Sequence, residues 1–350
     1  MQREWSEWNS TENNFAKHAS VRTDLIYGTP QEPAPGVSVM IITYKRADGL
    51  EKALQSALQQ DFDQPYEIAV VDDSGYDAAT DSLMKEYCEQ HPHILYYRHE
   101  RNLGQYANWN RACELSRTEW FCLLHDDDRM KPTYLSRCMN VAKSAYDLGL
   151  LGSYMETVRT DGEALPKTLV DKLVSLFIWL RRAKPAPLTL RDNLRHIFVL
   201  SSCLFINRTR AIELGGLNDD YFPSSDFAFA AKMNCHHRTA FLPLVLSERG
   251  IGSNESLKQS VCDDSIRAAY HLTLEIGKTL GLNPQRQRRA ASIAAVISEI
   301  GVKGYNDVDY SPVKESLGMK PIYSRPWVIR LINVYSKCRW GMLLFRRAKV

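Results

Sequence analysis

Several common sequence signatures are missing from this chain. No apolar run reaches the roughly 18 to 20 residues that a membrane-spanning helix requires, and the longest candidates are segments such as LVSLFIWL at residues 173–180. The N-terminal residues MQREWSEWNSTENN contain three glutamates and no apolar core, which is typical of neither a secretory signal nor a transit peptide. We therefore expect a cytoplasmic protein without a transmembrane segment.

Motifs of several other protein classes are also absent. There is no G-x-x-x-x-G-K phosphate loop, no G-x-G-x-x-G dinucleotide fingerprint and no G-x-S-x-G nucleophile elbow. The eight cysteines include no C-x-x-C pair, which favours free buried thiols over a zinc or disulfide framework. The pair His236-His237 has no further ligand at metal spacing, which favours a surface pair over a zinc site. Nothing in the sequence indicates nucleic-acid binding.

Acidic residues are absent from the C-terminal tail. Residues 317–350 contain eight Lys or Arg and no Asp or Glu, whereas residues 1–316 contain 36 basic and 41 acidic residues, a net charge of −5. The overall charge of +3 thus combines a mildly acidic body with a basic tail. Of the 350 residues, 44% are apolar and 24% are charged, which excludes a mostly disordered chain.

The hydrophobic pattern predicts an α/β fold. Residues 37–43, VSVMIIT, form a continuous run of β-branched and apolar residues with one serine, which is typical of a strand that is buried on both faces. Strand patterns then alternate with amphipathic helix patterns, so we expect a Rossmann-like, mostly parallel sheet with helices on both faces. We divide the chain into a peripheral leader (1–36), an α/β domain (37–256) and a helical extension (257–350) that ends in the basic tail.

Polar residues follow three of the predicted strands, at Thr43-Tyr44, Asp72-Asp73 and Asp126-Asp127-Asp128. Because ligands gather at the carboxyl ends of parallel strands, we expect these segments to meet in one crevice. Three successive carboxylates repel one another, and a hard divalent cation would compensate their charge; a solvated acidic turn is the alternative. The first aspartate pair could bind a pyrimidine or a ribose, or could only end its strand in an Asx-turn.

Four segments, VSVMIITYKR, VVDDSG, RNLGQYANWNRA and LLHDDDRMKP, together resemble the family 2 glycosyltransferases, the inverting nucleotide-sugar enzymes of the GT-A fold. The order and spacing of the four motifs carry the resemblance, which covers about residues 37–256. It implies a nucleotide-diphosphate sugar donor, here a UDP- or dTDP-sugar, an Asp-x-Asp site for Mn²⁺ or Mg²⁺, and a catalytic aspartate on a later helix.

Carried onto this sequence, the resemblance implies the following donor-binding residues: Thr43, Tyr44, Arg46, Asp72, Asp73, Asn102, Asn110, Asp126, Asp127 and Arg249. Asp73, with Asp72 nearby, would hydrogen-bond to the nucleotide base. Thr43 and Tyr44 would lie against the same base. Asp126 would contact the ribose and would share the metal with Asp128. The two asparagines fit loop or helix capping equally well, and Arg46 also fits an exposed helix start.

The catalytic base that the resemblance implies is Asp226, in YFPSSDFAFAAKM. Many relatives carry an acidic residue just before this aspartate, where this chain has Ser225, so the acceptor side departs from the family pattern. An inverting transfer is a direct displacement at the anomeric carbon, in which a base takes the proton of the acceptor hydroxyl. Asp226 also fits an N-cap of the following helix, and the two roles are compatible.

The basic tail intersperses bulky apolar residues with Lys and Arg, in SRPWVIRLINVYSKCRWGMLLFRRAKV. Such a helix suits the surface of an anionic membrane, where each basic residue contributes about 1 kcal/mol; a helix packed on the protein core is the alternative. The segment LVSLFIWLRRAK at 173–184 could be a second contact or a buried helix. We expect peripheral attachment to the inner face of the cell membrane. The resemblance to bacterial O-antigen, capsule and exopolysaccharide transferases suggests a glycan acceptor on a polyprenyl diphosphate.

Two other functions fit parts of the sequence. A sugar-nucleotide pyrophosphorylase also binds nucleotides at strand ends, but TYKRADG lacks the Gly-rich basic loop expected of that class. A catalytically silent membrane scaffold would not need the Asp cluster or Asp226. The sequence leaves the donor sugar, the acceptor linkage and the oligomeric state open.

Overall fold

The structure, a computed structural model, describes residues 5–91, 93–145, 147–159, 184–194, 202–251, 258–303 and 308–343. Its strands are β1 (Thr23–Tyr27), β2 (Val37–Thr43), β3 (Glu67–Asp72), β4 (Ile94–His99), β5 (Trp120–His125), β6 (Asp128–Met130), β7 (Leu148–Arg159), β8 (Ala186–Leu188), β9 (Leu204–Asn207) and β10 (Arg238–Ile251). Its α-helices are α1 (Ala47–Leu58), α2 (Ala78–Gln90), α3 (Gln105–Leu115), α4 (Tyr134–Ser144), α5 (Leu190–Leu194), α6 (Arg208–Glu213), α7 (Ser225–His236), α8 (Gln259–Thr279), α9 (Pro284–Lys303), α10 (Ser311–Ser316) and α11 (Pro326–Leu343). Residues 173–183 of the apolar segment LVSLFIWLRRAK lie outside the described residues.

The ten strands form one mixed sheet in the order β1-β4-β3-β2-β5-β9-β7-β10-β6, with β8 beside β10. Strands β4, β3, β2 and β5 are parallel to one another. Strands β7 and β10 form a second parallel pair. The antiparallel strand β9 separates these two parallel groups. The predicted α/β sheet with helices on both faces is therefore confirmed, and the carboxyl ends of β2, β3 and β5 lie at the same edge.

The central strands are buried on both faces, as the run of β-branched and apolar residues in β2 predicts. Val39 and Ile41 pack into a core beneath α1, α2 and α4, whereas Met40 and Ile42 pack into a second core beneath α3 and α7. This division follows from the two-residue period of a strand, which sends alternate side chains to opposite faces. Both cores are continuous with the strand ends, so the polar residues at those ends have rigid backbone supports.

The N-terminal segment packs into the fold, which corrects the prediction of a peripheral leader. Strand β1 pairs antiparallel with β4 and forms one edge of the sheet. Trp8 and Phe15 are buried, the former against α7 and α8 and the latter against α3. The prolines of TPQEPAPG therefore follow an ordered segment rather than a loose one. The domain boundaries at residues 36 and 256 stay predictions.

The C-terminal helices have an apolar core of their own. It includes Ile266 of α8, Val296 of α9 and Ile332 of α11. A buried ion pair between Lys314 and Glu299, 2.7 Å apart, links α10 to α9. Among the helices in the described ranges, none is both long and apolar enough to cross a bilayer.

Candidate active site

A cleft of about 610 Å³ opens at the carboxyl ends of β2, β3 and β5. The predicted site residues that line it are Thr43, Tyr44, Arg46, Asp73, Asn102, Asp126, Asp127, Asp128, Asp226 and Arg249. They come from six separate parts of the chain, and the sheet topology brings them together. Two of the predicted donor-binding residues, Asp72 and Asn110, are not among the lining residues.

Asp126 is fixed by the end of β2. Its Oδ2 accepts hydrogen bonds from Oγ1 of Thr43 at 2.8 Å and from the backbone N–H of Tyr44 at 3.3 Å. Nη1 of Arg46 lies 3.0 Å from Oδ2 of Asp127 and 3.6 Å from Oδ1 of Asp126. Burial, together with repulsion by its neighbour Asp127, raises the pKa of Asp126 to about 6. The end of β2 thus supplies a hydroxyl that donates a hydrogen bond to Asp126, and Arg46, just after it, supplies a positive charge beside the aspartate cluster.

Asp128 is held in place by β10. It is the first residue of β6, which pairs antiparallel with β10 so that Asp128 stands opposite Arg249. Its Oδ1 accepts a hydrogen bond of 3.1 Å from the backbone N–H of Gly250. A Cβ at Gly250 would overlap the carbonyl oxygen of Asp127, so only glycine permits this close approach. Burial and repulsion by Asp127 raise the pKa of Asp128 to about 7.

The end of β5 has the composition of a divalent-cation site. Ligand atoms of His125, Asp127 and Asp128 all lie within 4.8 Å of one another. Buried carboxylates with raised pKa values gain stability when a cation neutralises them, so the donor set fits Mn²⁺ or Mg²⁺. Asp126, which the resemblance placed on the metal, is outside this group of three.

Asp73 organises the loop between β4 and α3. Its Oδ1 accepts a hydrogen bond of 2.5 Å from the backbone N–H of Leu103. Its Oδ2 accepts bonds of 2.9 Å from the backbone of Gly104 and from Nδ2 of Asn102. Burial raises the pKa of Asp73 to about 6, against the opposing effect of these donors. Asn102 therefore lines the cleft as a partner of Asp73.

The structure places Asp72 and Asn110 away from the cleft, which corrects their prediction as donor contacts. Asp72 is fully buried on the opposite face of the sheet, where it accepts hydrogen bonds from Ser74 and, at 2.7 Å, from the hydroxyl of Tyr96. Asn110 is also buried and makes two hydrogen bonds of 2.8 Å to the backbone N–H and C=O of Leu217. Both side chains thus have structural partners that occupy their polar groups.

Asp226 is the second residue of α7 and points into the cleft. The N-cap of α7 is Ser224, so Asp226 lies inside the helix and does not cap it. Its Oδ1 accepts a hydrogen bond of 2.8 Å from the N–H of Phe227, and the Tyr106 hydroxyl also interacts with its carboxylate. Burial raises the pKa of Asp226 to about 6. The preceding Ser225 is buried and donates to the carbonyl of Asn218 at 2.6 Å, so its hydroxyl is not available to a substrate.

Sequence reasoning missed several residues of the cleft wall: Tyr106, Asn108, His125, Met155, Ser202, Phe222, Pro223 and Val261. His125 directly precedes the aspartate triplet and was the one with a detectable signal. Val261 belongs to α8, so the predicted C-terminal extension also contributes to the cleft. The others stand on segments whose approach to the sheet edge depends on tertiary packing.

Comparison with known proteins agrees with this geometry. Residues 38–214, half of the 350-residue chain, match the model of Glycosyl transferase family 2. The chain is 25% identical over 138 residues to an uncharacterized glycosyltransferase of Methanocaldococcus jannaschii, covering 39% of this chain and 48% of that protein. It is 32% identical over 113 residues to the GalNAc(5)-diNAcBac-PP-undecaprenol beta-1,3-glucosyltransferase of Campylobacter jejuni, covering 32% of this chain and 36% of that protein. The matches thus span less than half of the length of these relatives.

Solved structures show a similar fold. S. aureus TarS 1-349 in complex with UDP-GlcNAc superposes with a TM-score of 0.53 at 15% identity, over 90% of this chain and 94% of that chain. The mannosyltransferase PcManGT from Pyrobaculum calidifontis, in complex with GDP-Man and Mn²⁺, gives a TM-score of 0.52 at 16% identity, over 91% of this chain and 90% of that chain. These likenesses confirm the predicted GT-A fold. With the family match across β2 to α6, they establish that the chain belongs to glycosyl transferase family 2.

Proposed function

We propose that the protein transfers a sugar from a nucleoside-diphosphate sugar to a hydroxyl of a glycan acceptor, with inversion at the anomeric carbon. The observation that carries this proposal is that Asp226 shares one cleft with the aspartates 126–128 and with Arg249. Family membership supports it, as do the UDP-GlcNAc complex of TarS and the GDP-Man complex of PcManGT, which have the same fold.

Asp226 acts as the base on the acceptor side. The bond from the anomeric carbon to the leaving diphosphate breaks while the acceptor oxygen bonds to that carbon, and the hydroxyl proton passes to a carboxylate oxygen of Asp226. A pKa of about 6 leaves Asp226 mostly ionised at pH 7 and still basic enough to accept a proton. The backbone N–H of Phe227, which donates to Oδ1 at 2.8 Å, orients the carboxylate.

The residues at the strand ends bind the donor. Asp126 contacts the ribose, and Asp73, with the loop that it orders, contacts the base. Arg249 and Arg46 provide positive charge at the diphosphate, and both already lie beside the aspartate cluster. Each of these side chains is held by backbone or side-chain partners, so the donor binds to groups that are already in position.

Asp128, with Asp127 close by, would hold Mn²⁺ or Mg²⁺. When bound, such an ion acts as a Lewis acid that neutralises the charge of the leaving diphosphate. The buried, mutually repelling carboxylates support this assignment, as does the Mn²⁺ in the complex of the related fold of PcManGT.

Donor binding and turnover can be tested separately. Thermal-shift measurements with a panel of UDP-, dTDP- and GDP-sugars, with and without MnCl₂, should show a Mn²⁺-dependent rise in Tm for at least one of them. With that nucleotide sugar, Asp226→Asn should abolish release of the nucleoside diphosphate but keep the thermal shift, whereas Asp128→Asn should lose the Mn²⁺-dependent part of the shift. Asp63→Asn, an exposed aspartate on the loop before β3, is the matched control.

Two results would contradict the proposal. Binding without any turnover by the wild-type protein, with donor and glycan present, would favour a silent scaffold. Release of inorganic pyrophosphate from a nucleoside triphosphate and a sugar phosphate would indicate a pyrophosphorylase.

The acceptor is proposed to be a glycan on a membrane-anchored polyprenyl diphosphate, in the assembly of a cell-surface polysaccharide. The relative from Campylobacter jejuni, named for an undecaprenol-linked substrate, and a succinoglycan biosynthesis protein of Rhizobium meliloti, 28% identical over 134 residues, support this class. Helix α11 supports a peripheral membrane contact: Trp327 and Leu331 are 57% and 60% exposed, and Val334 and Tyr335 are also exposed. Lys and Arg are the only charged residues from Leu317 onwards, so this helix is complementary to anionic lipid.

The membrane contact is tested by liposome co-sedimentation. The variant Trp327→Ser/Leu331→Ser should lose most binding to vesicles that contain anionic phosphatidylglycerol while it keeps the wild-type Tm. Deletion of residues 317–350 is a poorer test, because Met319 and Ile332 are buried in the C-terminal core. Equal binding of the double variant and the wild type, or binding to neutral phosphatidylcholine vesicles alone, would contradict the proposed surface.

A further inference from the structure

The loop that leads to the helix of the proposed base is held from the side of α3. This loop, residues 214–224, is called here the base loop. The side chain of Asn110 makes two hydrogen bonds of 2.8 Å to the backbone of Leu217. One turn earlier on α3, the hydroxyl of Tyr106 donates a hydrogen bond of 2.8 Å to the carbonyl of Pro223. Both ends of the base loop are therefore tied to the same face of α3.

The N-terminal segment holds the base loop from a second side, through its backbone. The backbone N–H and the side-chain Nδ2 of Asn14 both donate to the carbonyl of Gly215, at 3.0 and 3.1 Å. Gly215 has a φ of +74°, and a Cβ there would overlap the carbonyl oxygen of Glu12. The buried ammonium of Lys232, on α7, donates to the carbonyl of Ser10 at 3.0 Å and to two carbonyls of the base loop. Lys232 thus ties the two segments together.

Charged side chains add a third set of contacts between these segments. Nζ of Lys17 lies 2.7 Å from Oδ1 of Asn218 and 2.7 Å from Oδ2 of Asp220. Nε2 of His18 lies 2.8 Å from Oδ2 of Asp219. An isolated surface ion pair contributes little. Here Lys17, His18 and Asp219 are partly buried and form a network around one short turn, whereas Asp220 is exposed. They fix the orientation of residues 218–220 rather than adding much to global stability.

Trp5 connects the base loop to the C-terminal helices. Its ring stacks on Tyr221 at a centroid distance of 5.1 Å and an interplanar angle of 19°. Its other neighbour is His271 of α8, at 6.3 Å and 13°. The indole thus lies between the base loop and α8, next to the cluster that Trp8 forms with Phe227.

We propose that residues 5–18, the N-terminal clamp, position the general base of the reaction. The clamp contacts the base loop along its length, and the loop continues directly into α7, whose second residue is Asp226. The clamp precedes the family match, which begins at residue 38. Lys17 and Trp5 are positioning residues: they touch neither the cleft nor the proposed substrates, and they act through the base loop. This inference rests on the proposed function of Asp226.

The variants Lys17→Met and Trp5→Ala test the clamp, with Lys17→Arg as the conservative rescue and Lys52→Met, on the exposed face of α1, as the matched control. Nucleoside diphosphate release is measured with UDP-glucose, UDP-N-acetylglucosamine and GDP-mannose in the presence of MnCl₂. We expect kcat to fall by about 10- to 100-fold in Lys17→Met and Trp5→Ala, because a base displaced by about 1 Å loses its alignment with the acceptor. The thermal shift given by each donor should stay at the wild-type value.

A pH profile separates positioning from a loss of folded protein. Asp226 faces the Tyr106 hydroxyl and Arg249, and burial is the main cause of its raised pKa. Release of the base loop should hydrate Asp226, so the acidic limb of kcat/KM should move to lower pH in Lys17→Met and not in Lys52→Met. A partly unfolded sample would lower the whole profile without moving that limb.

Amide hydrogen exchange of residues 214–224 provides a readout that does not need turnover. Exchange should be faster in Lys17→Met and Trp5→Ala than in the wild type, and normal in Lys17→Arg. Unchanged exchange would overturn the clamp, even if the wild-type protein uses none of the three donors and the proposed function itself fails. Faster exchange with wild-type kcat would also overturn it, because the loop would then move without affecting the base.

Discussion

The indole Nε1 of Trp109 donates a hydrogen bond of 3.2 Å to Nε2 of His125. An indole nitrogen can only donate, so Nε2 is the acceptor and the proton of the neutral imidazole is on Nδ1. Burial lowers the pKa of His125 to about 4, which keeps the ring neutral at pH 7. Neither nitrogen then has a free lone pair for a metal. His125 therefore lies beside the proposed cation site as a hydrogen-bonding neighbour, and carboxylates would be the ligands of the proposed ion.

The first prediction follows from this tautomer. His125→Gln should change the affinity for Mn²⁺, measured by isothermal titration calorimetry, by no more than about threefold, whereas Asp128→Asn should weaken it by at least about tenfold. Asp63→Asn controls for the loss of one negative charge. A loss of Mn²⁺ affinity in His125→Gln as large as that in Asp128→Asn would contradict the assignment.

The second prediction concerns the pH dependence of turnover. The base must be ionised to accept a proton, and burial raises the pKa of Asp226 to about 6. We expect kcat/KM to be level above about pH 7 and to fall as the pH drops through about 6, approaching tenfold per pH unit. The profile of initial rates between pH 5 and 8, with saturating Mn²⁺, checks this. A profile that stays flat down to pH 5 would exclude Asp226 as the base.

The third prediction concerns stability without metal. The pKa of Asp128 is about 7 in the folded state, above the value of about 3.9 for an unfolded aspartate. A raised folded-state pKa contributes stability below about pH 4, and this contribution is lost as the pH rises through about 7. Asp128→Asn imitates the neutral carboxyl, so it should raise Tm at pH 8 in EDTA, by about 2 to 4 °C for each kcal/mol regained.

The same variant provides the internal control. Below about pH 4, where Asp128 is protonated in both the folded and the unfolded state, the two proteins should have similar Tm values. With MnCl₂ at pH 8, the wild type should become the more stable of the two. A lower Tm for Asp128→Asn at pH 8 in EDTA would show that the buried carboxylate is stabilised by partners other than a metal.

The fourth prediction concerns Gly250. Because a Cβ at this position would overlap the carbonyl oxygen of Asp127, Gly250→Ala must move β10 or the aspartate cluster. We expect a loss of about 1 to 3 kcal/mol in the free energy of unfolding, together with weaker Mn²⁺ binding. Gly36→Ala, where nothing lies within 4 Å of the added carbon, should have the wild-type values. Normal Mn²⁺ affinity in Gly250→Ala would show that the cluster tolerates the shift.

The central strands could be predicted from the sequence because β2, β3 and β5 are mostly apolar runs that end in polar residues. The sequence could not predict to which side of the sheet each aspartate at the end of a strand points. Asp72 and Asp73 are neighbours at the end of β3, and successive residues of a strand point to opposite sides of the sheet. Asp72 consequently meets Tyr96 in the core beneath α1, whereas Asp73 reaches the cleft. The register of β3 therefore decides which of the two aspartates lines the cleft.

Positions whose role depends on distant parts of the chain were also beyond sequence reasoning. Asn110 sits on a helix that borders the cleft, but its partner is Leu217, 107 residues later. The segment TDLIY is too short and too mixed in polarity to indicate a strand by itself, and β1 forms because the edge of β4 is open to it. In each case the pattern was compatible with several environments, and tertiary packing selected one of them.

The pairing of Asp128 with Arg249 across β6 and β10 joins residues that are made at different times during translation. The two residues are translated far apart, and Arg249 follows the end of the family match at residue 214. A nascent chain that has already formed β2 to β5 still lacks Arg249, the contact of Gly250 with Asp128, and Asp226. The cleft can therefore be complete only after β10 and the start of α8 have been made, and a fragment bounded by the family match lacks Asp226 and Arg249 of the proposed site.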